Sequence, residues 1–336
     1  MNIFITGAAG GIGSTLALKL TQLGHKVIAF DNLNNGYIEN LKEDGKEFCL
    51  FIKGDIRADY RFIANYFDYH SIDVVIHLAA ITSLPECESD PHNCIDVNVG
   101  GTANILNAAR RKGIHVIVAS TSAIYENNDS KDAPFTEDMP VNPKLFYPLS
   151  KKLMEETIQS FIRNYDMNIT TLRFFNVFGP RQDIHRKSPP LMNYIVREIK
   201  NKRPMTFYSS GNHPRDYIHV DDVVSMIEKV LTRTDRQTFN LCTGTLTSVS
   251  DVIECAKKAF GDFEYRFETP TKFWSTYDDL YKGVNKLQDF VVENEVKKFS
   301  LGSTKKAEEM LNWKPNKDIE SLMIESMRQN YERYSQ

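Results

Sequence analysis

The first twenty residues contain a glycine-rich turn between a short apolar stretch and an amphipathic one. Residues 2–6 (NIFIT) are typical of a buried strand, and apolar residues recur at helical spacing over residues 14–20. Between them, glycine occupies positions 7, 10 and 13. This order predicts a strand, a tight turn and a helix whose first N–H groups and dipole are open to an anion.

The glycine spacing is typical of a dinucleotide-binding turn. Gly7 permits the turn, Gly10 lets a pyrophosphate approach the backbone, and Gly13 lets the helix lie close to the strand. A second predicted strand, residues 26–30, is followed by Asp31, eighteen residues after Gly13. An acid at this position accepts hydrogen bonds from an adenosine ribose and repels a 2′-phosphate. We therefore predict NAD rather than NADP.

Strands and helices alternate over the first half of the chain. Besides the two strands above, the pattern predicts a helix at residues 96–112 and strands at residues 48–52, 74–80, 115–120 and 169–174. The alternation predicts an α/β fold with a doubly wound parallel sheet covered by helices on both faces. The pattern loosens from about Gly179, which indicates a smaller C-terminal lobe with segments that return to the main sheet.

The composition limits the partners and the compartment. The 336 residues carry a formal net charge of −3 without a basic stripe, which argues against binding of nucleic acid. Five cysteines are scattered without CxxC spacing, so we expect a reduced, cytoplasmic protein with no disulfide framework and no metal site. No apolar run approaches membrane-spanning length, and the first strand begins at residue 2, which leaves no room for a signal peptide.

Two further strand ends supply candidate cofactor contacts. Asp55 follows the third predicted strand and has two interpretations of equal weight. It either accepts a hydrogen bond from the adenine amino group, with Ile56 packed on the ring, or it is a turn aspartate. The fourth predicted strand ends in residues 78–80 (Leu78, Ala79 and Ala80), which let a cofactor lie across the edge of the sheet.

Two polar positions near this strand are expected to be structural. His77 lies inside an apolar strand, where a histidine is more often a core residue with satisfied hydrogen bonds than an acid or base. Asn98 lies near the start of the helix predicted at residues 96–112. We expect its amide to brace the neighbouring strands.

A group of hydroxyls and one lysine form the candidate catalytic set. Residues 119–125 (ASTSAIY) end the fifth strand, and Tyr147 and Lys151 lie one turn apart in a helix that opens with Pro148. An ammonium near the phenol, together with the positive nicotinamide ring, lowers the pKa of tyrosine from about 10 and makes it a base. Thr121 can hydrogen-bond the reacting oxygen. A surface pair is the alternative for Tyr147 and Lys151, but the glycine turn favours the catalytic interpretation.

These motifs together resemble the extended short-chain dehydrogenases/reductases, in particular the nucleotide-sugar epimerases and dehydratases. The resemblance spans nearly the whole chain and includes Thr121 with Tyr125, Tyr147 with Lys151, and residues 6–13 (TGAAGGIG), 31–33 (DNL), 54–56 (GDI), 77–80 (HLAA), 98–102 (NVGGT), 173–181 (RFFNVFGPR) and 215–222 (RDYIHVDD). It implies a Rossmann-type NAD-binding domain at residues 1–178, with segments near residues 216–243 returning to it. It further implies a substrate-binding lobe mainly at residues 179–336, and a homodimer that pairs helices near residues 98–111 and 151–165 in a four-helix bundle.

The resemblance also assigns individual residues. Gly11, Ile12, Asn32 and Asn98 join the cofactor contacts named above, as do Tyr147 and Lys151. Asn176 and Arg215 are assigned to the pyrophosphate of a sugar nucleotide, and Leu191 and Phe207 to its base. Guanidinium suits bidentate phosphate contacts, while the alternative for Arg215 is a surface ion pair with Asp216 or Asp221.

The two residues after Thr121 distinguish the reactions within this group. The 4,6-dehydratases carry an acidic pair there, and UDP-glucuronate decarboxylases carry a glutamate at the second position, but this chain has Ser122 and Ala123. A site with no acid there suits oxidation and reduction at one carbon, which predicts 4-epimerisation through a transient 4-keto sugar. The alternative enzymes are a nucleotide-sugar 4-oxidase or 4-reductase, a 4,6-dehydratase and a decarboxylase. A further alternative is a non-catalytic NAD-binding regulator.

Two features near the C-terminus bear on the substrate. Ser300 aligns with a tyrosine in 4-epimerases restricted to glucose and galactose, and a small residue there leaves room for an acetamido group. The resemblance thus implies a UDP-N-acetylhexosamine or a UDP-hexose, used for polysaccharide or glycoconjugate precursors. Residues 263–295 are longer than expected, and their aromatic residues either reshape the pocket, form a lid or make a local core.

Overall fold

Strands and helices alternate from the first residues onward. A computed structural model describes residues 1–125 and 133–334. The strands are β1 (Asn2–Thr6), β2 (Lys26–Asp31), β3 (Lys42–Glu43), β4 (Lys46–Glu47), β5 (Leu50–Lys53), β6 (Val74–His77), β7 (His115–Thr121), β8 (Ile169–Phe174), β9 (Asn176–Phe178), β10 (Met205–Phe207), β11 (Arg215–His219), β12 (Thr238–Leu241), β13 (Leu246–Thr247) and β14 (Tyr265–Phe267). The helices are α1 (Gly11–Gln22), α2 (Tyr60–Tyr69), α3 (Leu84–Ser89), α4 (Pro91–Ile95), α5 (Thr102–Arg110), α6 (Phe146–Tyr165), α7 (Leu191–Lys200), α8 (Val220–Val230), α9 (Val249–Phe260), α10 (Pro270–Trp274), α11 (Asp278–Tyr281), α12 (Asp289–Lys297), α13 (Lys305–Leu311) and α14 (Ile319–Arg333).

The main sheet is parallel and has seven strands in the order β5-β2-β1-β6-β7-β8-β12. The chain winds outward from β1 in one direction and then from β6 in the other, which is the Rossmann arrangement. Its strands are apolar because helices cover both faces, and two separate buried clusters lie on the two sides of the sheet. The predicted fold class is confirmed. Strand β12 (Thr238–Leu241), from the segment expected to return, pairs with β8.

A second, smaller layer of structure follows the sheet in the chain. It contains the three-stranded sheet β13-β11-β9 and the parallel pair β10-β14. Helices α7, α9 and α14 enclose a third apolar cluster that includes Phe207 and Met323. The division into domains at residues 178 and 179 stays a prediction. No helix within residues 1–125 and 133–334 is long and apolar enough to cross a membrane.

The structure differs from the predicted elements at two places beside β1. Residues 78–80 leave the sheet, because the N–H groups of Leu78 and Ala79 each donate to the Thr6 hydroxyl at 3.2 Å. The helix predicted at residues 96–112 begins with a π-helical turn, Asp96–Gly101, before α5. Gly101 lies against the Ile56 side chain, which a Cβ at this position would overlap.

His77 connects three elements beneath the edge of the sheet. Its Nδ1 lies 2.7 Å from the Thr6 hydroxyl and its Nε2 lies 2.9 Å from the Thr102 hydroxyl. Since Thr102 donates its proton to the Asn98 carbonyl at 2.7 Å, it accepts from Nε2–H, and Nδ1 accepts from Thr6. Burial lowers the pKa of His77 to about 3, so the ring is neutral at pH 7. This is the satisfied core histidine that the sequence predicts.

Replacing His77 with glutamine should remove part of the acid sensitivity of the fold. In the unfolded chain His77 becomes protonated as the pH falls through about 6.5, whereas in the folded protein it stays neutral down to about pH 3. The free energy of unfolding should therefore fall by about 2 kcal/mol from this residue alone between pH 7.5 and pH 5. Urea unfolding at pH 7.5, 6 and 5 measures the slope, which His77→Gln should reduce and the exposed control His92→Gln should keep. An unchanged slope in His77→Gln would contradict this assignment.

Candidate active site

A cleft of about 440 Å³ lies at the carboxyl edge of the main sheet. The glycine turn, the ends of β2, β6 and β7, and the start of α6 line it. Ligands of doubly wound sheets bind at this edge, where the strand order reverses. All of the predicted cofactor contacts except Asn98 line the cleft, and so does Thr121. The structure therefore brings the predicted cofactor and catalytic residues to one place.

The glycine turn leaves backbone exposed to the cleft. Gly7 has a φ of +68°, and a Cβ there would lie 2.8 Å from the Ala79 nitrogen. A Cβ on Gly13 would overlap the Gly7 carbonyl oxygen, so the start of α1 can touch the turn only because residue 13 is glycine. At Gly10 the nearest atom to an added Cβ is 3.4 Å away, on the Gly7 carbonyl. This cradle fits a pyrophosphate that approaches the backbone.

Asp31 joins the glycine turn to the loop after β2. Its Oδ2 accepts from the Ala9 N–H at 2.9 Å, and its Oδ1 accepts from the Leu33 N–H at 2.7 Å. Burial raises the pKa of Asp31, and the two backbone hydrogen bonds oppose this rise. Each oxygen keeps a further lone pair for a ribose hydroxyl, so the geometry fits the predicted role.

Asp55 is held by two neighbours, one of which the sequence reasoning missed. Arg57 donates from Nε to Oδ1 at 3.0 Å and from Nη2 to Oδ2 at 2.8 Å, and Asn32 donates to Oδ2 at 3.1 Å. The guanidinium keeps the pKa of Asp55 well below its usual range. The two-residue spacing of an acid and an arginine in a turn is the signal that could have found Arg57. The choice between adenine contact and turn aspartate stays open.

The predicted catalytic residues converge at one end of the cleft. Thr121 is the last residue of β7, and Tyr147 lies in the first turn of α6 with Lys151 one turn further on. The Lys151 Nζ donates to the Ala119 carbonyl at 2.9 Å, which ties α6 to the end of β7. A tyrosine, a threonine and an ammonium thus meet where the sheet opens to the cleft.

Burial dominates the electrostatics of this group. It raises the pKa of Tyr147 to about 12, while a hydrogen bond from Thr121 and the charge of Arg186 oppose the rise. Burial also lowers the pKa of Lys151 to about 8. The sequence predicts a lowered pKa for Tyr147. The protein alone does not produce it, because the Lys151 ammonium donates to the Ala119 carbonyl. The oxidised nicotinamide ring would add the missing positive charge.

Asn98 lies behind the wall of the cleft. Its amide exchanges two hydrogen bonds with the backbone of Ile81, at 2.8 and 2.9 Å, and donates to the Ser150 hydroxyl at 2.9 Å. It therefore braces the loop after β6 against α6, and not two neighbouring strands as the sequence suggests. Its direct cofactor contact stays a prediction.

Arg215 does not line the cleft. Its guanidinium is half-buried and donates to the carbonyls of Pro214, Glu295, Val296 and Lys298 at 2.5–3.1 Å. It therefore caps the C-terminal end of α12, and among the described residues it forms neither of the ion pairs considered from the sequence. Its pyrophosphate contact stays a prediction. The carboxylate of Asp216 instead accepts from Thr243, Gly244 and Gly302.

The other predicted substrate residues lie in the smaller lobe, outside the lining of the cleft. Asn176 donates to the Asp216 carbonyl at 3.0 Å. Phe207 is buried among aromatic rings, and Leu191 packs against the same cluster. Ser300 is buried, and its carbonyl accepts from the Asp216 N–H at 2.9 Å. Their roles toward a substrate stay predictions.

The opposite wall of the cleft comes from a loop that the sequence reasoning did not single out. Gln182, Asp183 and Arg186 lie there, between β9 and α7. The loop follows directly on the predicted motif at residues 173–181, and this adjacency is the signal that could have found it.

Residues 263–295 form β14, α10, α11 and most of α12. Trp274, Tyr277 and Leu280 are buried with Leu145 of the α6 N-cap, as expected for a local core. The segment also contacts two parts of the chain that follow cleft-lining residues, namely Lys187 after Arg186 and α3 after Thr82. Lys187 donates to the Thr276 carbonyl at 2.6 Å and lies 3.6 Å from the centre of the Tyr277 ring, and α11 packs against α3.

Replacing Gly13 with alanine should weaken NAD binding at least tenfold. The added Cβ overlaps the Gly7 carbonyl oxygen, so α1 must shift away from the turn that faces the pyrophosphate. Calorimetric titration with NAD measures the affinity. The control is Gly100→Ala, whose Cβ meets no neighbour closer than 3.4 Å. An affinity for NAD within twofold of the parent in Gly13→Ala would rule out the tight contact as a requirement.

Comparison with known proteins agrees with this geometry. Residues 3–242 match the NAD dependent epimerase/dehydratase family. A UDP-glucose 4-epimerase from Mycolicibacterium smegmatis is 34% identical over 78% of this chain and 83% of its own. The crystal structure of a UDP-glucose 4-epimerase from Thermotoga maritima with UDP-glucose has a TM-score of 0.83 and 28% identity, covering 100% of this chain and 99% of that one.

A third similar protein was solved with NAD bound. The UDP-glucose 4-epimerase of Thermus thermophilus, solved in complex with NAD, has a TM-score of 0.81 and 26% identity, covering 100% of this chain and 99% of that one. The match over most of the chain and the dinucleotide-type glycine turn in the cleft lead to the same conclusion. The chain belongs to the NAD-dependent epimerase/dehydratase family.

Proposed function

We propose that this chain is a nucleotide-sugar 4-epimerase that uses NAD and passes through a transient 4-keto sugar. The observation that carries the proposal is the convergence of Thr121, Tyr147 and Lys151 at the end of the dinucleotide cleft. The similarity to UDP-glucose 4-epimerases over most of the chain supports it.

The three side chains have separate roles. When bound, NAD supplies the acceptor and donor of a hydride at the sugar C4. Tyr147 takes the proton of the C4 hydroxyl and later returns it, and Thr121 orients the reacting oxygen. The Lys151 ammonium, one helical turn away, favours the deprotonated form of the phenol. Since each proton and hydride is returned, no net oxidation results.

The residues beyond Thr121 favour epimerisation over elimination or decarboxylation. Ser122 and Ala123 begin a 3-10 turn, and the Ala123 N–H donates to the Thr121 hydroxyl at 3.1 Å. No acid at these two positions is available to move a proton at C5 or C6. Among the described residues, three carboxylates line the cleft. Asp31 and Asp55 lie at the predicted adenosine end and are held by other groups. The Asp183 Oδ1 accepts from the Tyr37 hydroxyl at 2.9 Å and from the His185 N–H at 2.6 Å.

The purified protein should convert UDP-N-acetylglucosamine to UDP-N-acetylgalactosamine without added NAD. Anomeric proton signals in NMR measure the conversion. Tyr147→Phe should reduce the rate at least a thousandfold, because the group that moves the proton is removed while the ring is kept. Net appearance of NADH with a nucleotide sugar and added NAD would instead establish a 4-oxidase.

We further propose a UDP-N-acetylhexosamine as the preferred substrate, with a UDP-hexose as the second candidate. The proposal rests on the small side chain of Ser300, which pairs through its backbone with Arg215 next to the cap of α12. A bulky residue at this position would reduce the space for an acetamido group.

Replacing Ser300 with tyrosine should lower kcat/KM for UDP-N-acetylglucosamine at least tenfold. It should leave kcat/KM for UDP-glucose within about threefold, since a hexose lacks the acetamido group. Ser300→Ala is the control and should keep both activities. Equal losses on the two substrates would mean that Ser300 does not select the sugar.

The assembly and compartment are proposals as well. We propose a homodimer through a four-helix bundle of α5 and α6, the helices that the resemblance assigns to it. We also propose a cytoplasmic location, because all five cysteines are free thiols and four of them are buried.

A further inference from the structure

Among the described residues, three cationic side chains line the cleft, and two of them are already paired. Arg57 is bound to Asp55, and Lys151 donates to the Ala119 carbonyl. Arg186, the third, has a different environment. Its backbone is anchored, because its N–H donates to Asp183 at 3.3 Å and its carbonyl accepts from Arg197 at 3.1 Å. The loop thus holds Arg186 at the cleft.

One donor of the Arg186 guanidinium is not satisfied by the protein. Its Nε is buried and has no hydrogen-bond acceptor within residues 1–125 and 133–334. Within the described part of the chain, no carboxylate forms an ion pair with this side chain either. A buried donor of a charged group is unfavourable without an acceptor, so an acceptor from a ligand would be strongly favoured.

Arg186 lies near the reacting end of the cleft. It is close enough to Tyr147 for its charge to lower the pKa of that phenol. Its charge acts in the same direction on the pKa of Tyr277, in the segment that packs at the cleft entrance. Lys187, the next residue, is committed to the Thr276 carbonyl and the Tyr277 ring. Arg186 therefore remains as the cation that faces a substrate.

Arg215, the arginine expected to bind the substrate pyrophosphate, already has acceptors on both terminal nitrogens of its guanidinium. Its Nη1 donates to the Pro214 and Lys298 carbonyls, and its Nη2 donates to the Glu295 and Val296 carbonyls at the end of α12. Its Nε–H remains for a ligand. Arg186 differs from it because Arg186 lines the cleft and its buried Nε has no acceptor within residues 1–125 and 133–334.

We propose that Arg186 binds an oxyanion of the nucleotide sugar in this cleft. The proposal rests on the proposed nucleotide-sugar function. The planar guanidinium can donate to two oxygens of one group. A nucleotide sugar can present such a pair of oxygens on its diphosphate or on a carboxylate of the sugar, and the experiment distinguishes these two sources.

The test is binding to the NAD-loaded protein, which needs no turnover. Isothermal titration gives the affinities of UDP, UDP-N-acetylglucosamine and UDP-glucuronate for the parent, Arg186→Gln and Arg186→Lys. If Arg186 binds the diphosphate, Arg186→Gln should weaken all three ligands about 10- to 100-fold. If it binds a sugar carboxylate, only UDP-glucuronate should weaken by that amount. In either case Arg186→Lys should recover part of the loss.

The control is Arg266→Gln, a highly exposed arginine of β14, which should bind all three ligands like the parent. Unchanged affinities for all three ligands in Arg186→Gln would overturn the proposal, and would mean that the guanidinium turns to Asp183 or to solvent. The bound NAD content and thermal midpoint of each variant show whether the fold is intact. Failure of the proposed function is a separate result: the parent would bind these ligands without converting any of them.

Discussion

The contact between Gly13 and the Gly7 carbonyl is the constraint on which the site depends. It allows the first turn of α1 to lie on the loop after β1, and Gly7 in turn lies against the backbone of Ala79 after β6. The Thr6 hydroxyl strengthens this junction, because it meets His77 and the N–H groups of residues 78 and 79. The two central strands therefore end in a single hydrogen-bonded unit, and the cleft opens directly above it.

The charged groups around this unit follow one rule, which is that a buried cation receives an acceptor from the fold. Arg173 is buried against Glu155 at 2.8 Å, and Arg181 is buried beside Glu43 and the Asn40 carbonyl. Arg215 obtains backbone carbonyls in place of a carboxylate. Backbone carbonyls at a helix C-terminus carry partial negative charge, so they stabilise a guanidinium without a second buried ion. Arg186 is half-buried, and in the part of the chain that the structure describes its buried Nε has no acceptor. Departures of this kind are typical of binding sites.

The cofactor half of the site could be predicted from the sequence because its determinants are local. Gly7, Gly10 and Gly13 lie within one turn, and Asp31 ends the next strand, so a pattern of about thirty residues contains the geometry. Three of the four carbonyls that accept from Arg215 lie about eighty residues further along the chain, in a segment whose fold no motif describes. Asn98 could be assigned a bracing role, but its partners Ile81 and Ser150 come from two distant elements. Side-chain partners across such distances depend on tertiary packing, which periodicity does not encode.

The electrostatics of Tyr147 connect cofactor binding to catalysis. A pKa of about 12 in the protein alone means that forming the phenolate at pH 7 costs about 7 kcal/mol. Lys151 cannot offset this cost fully, because its Nζ is engaged by the Ala119 carbonyl and burial lowers its own pKa to about 8. The pKa of about 12 already includes the lowering by the charge of Arg186, so further positive charge would have to come from the oxidised nicotinamide. The same burial would keep the phenol protonated while the nicotinamide is reduced and uncharged, so that the proton is available for return as the sugar is reduced. A tyrosine that is acidic only beside the oxidised cofactor suits a reaction in which one group is the base in the first half and the acid in the second.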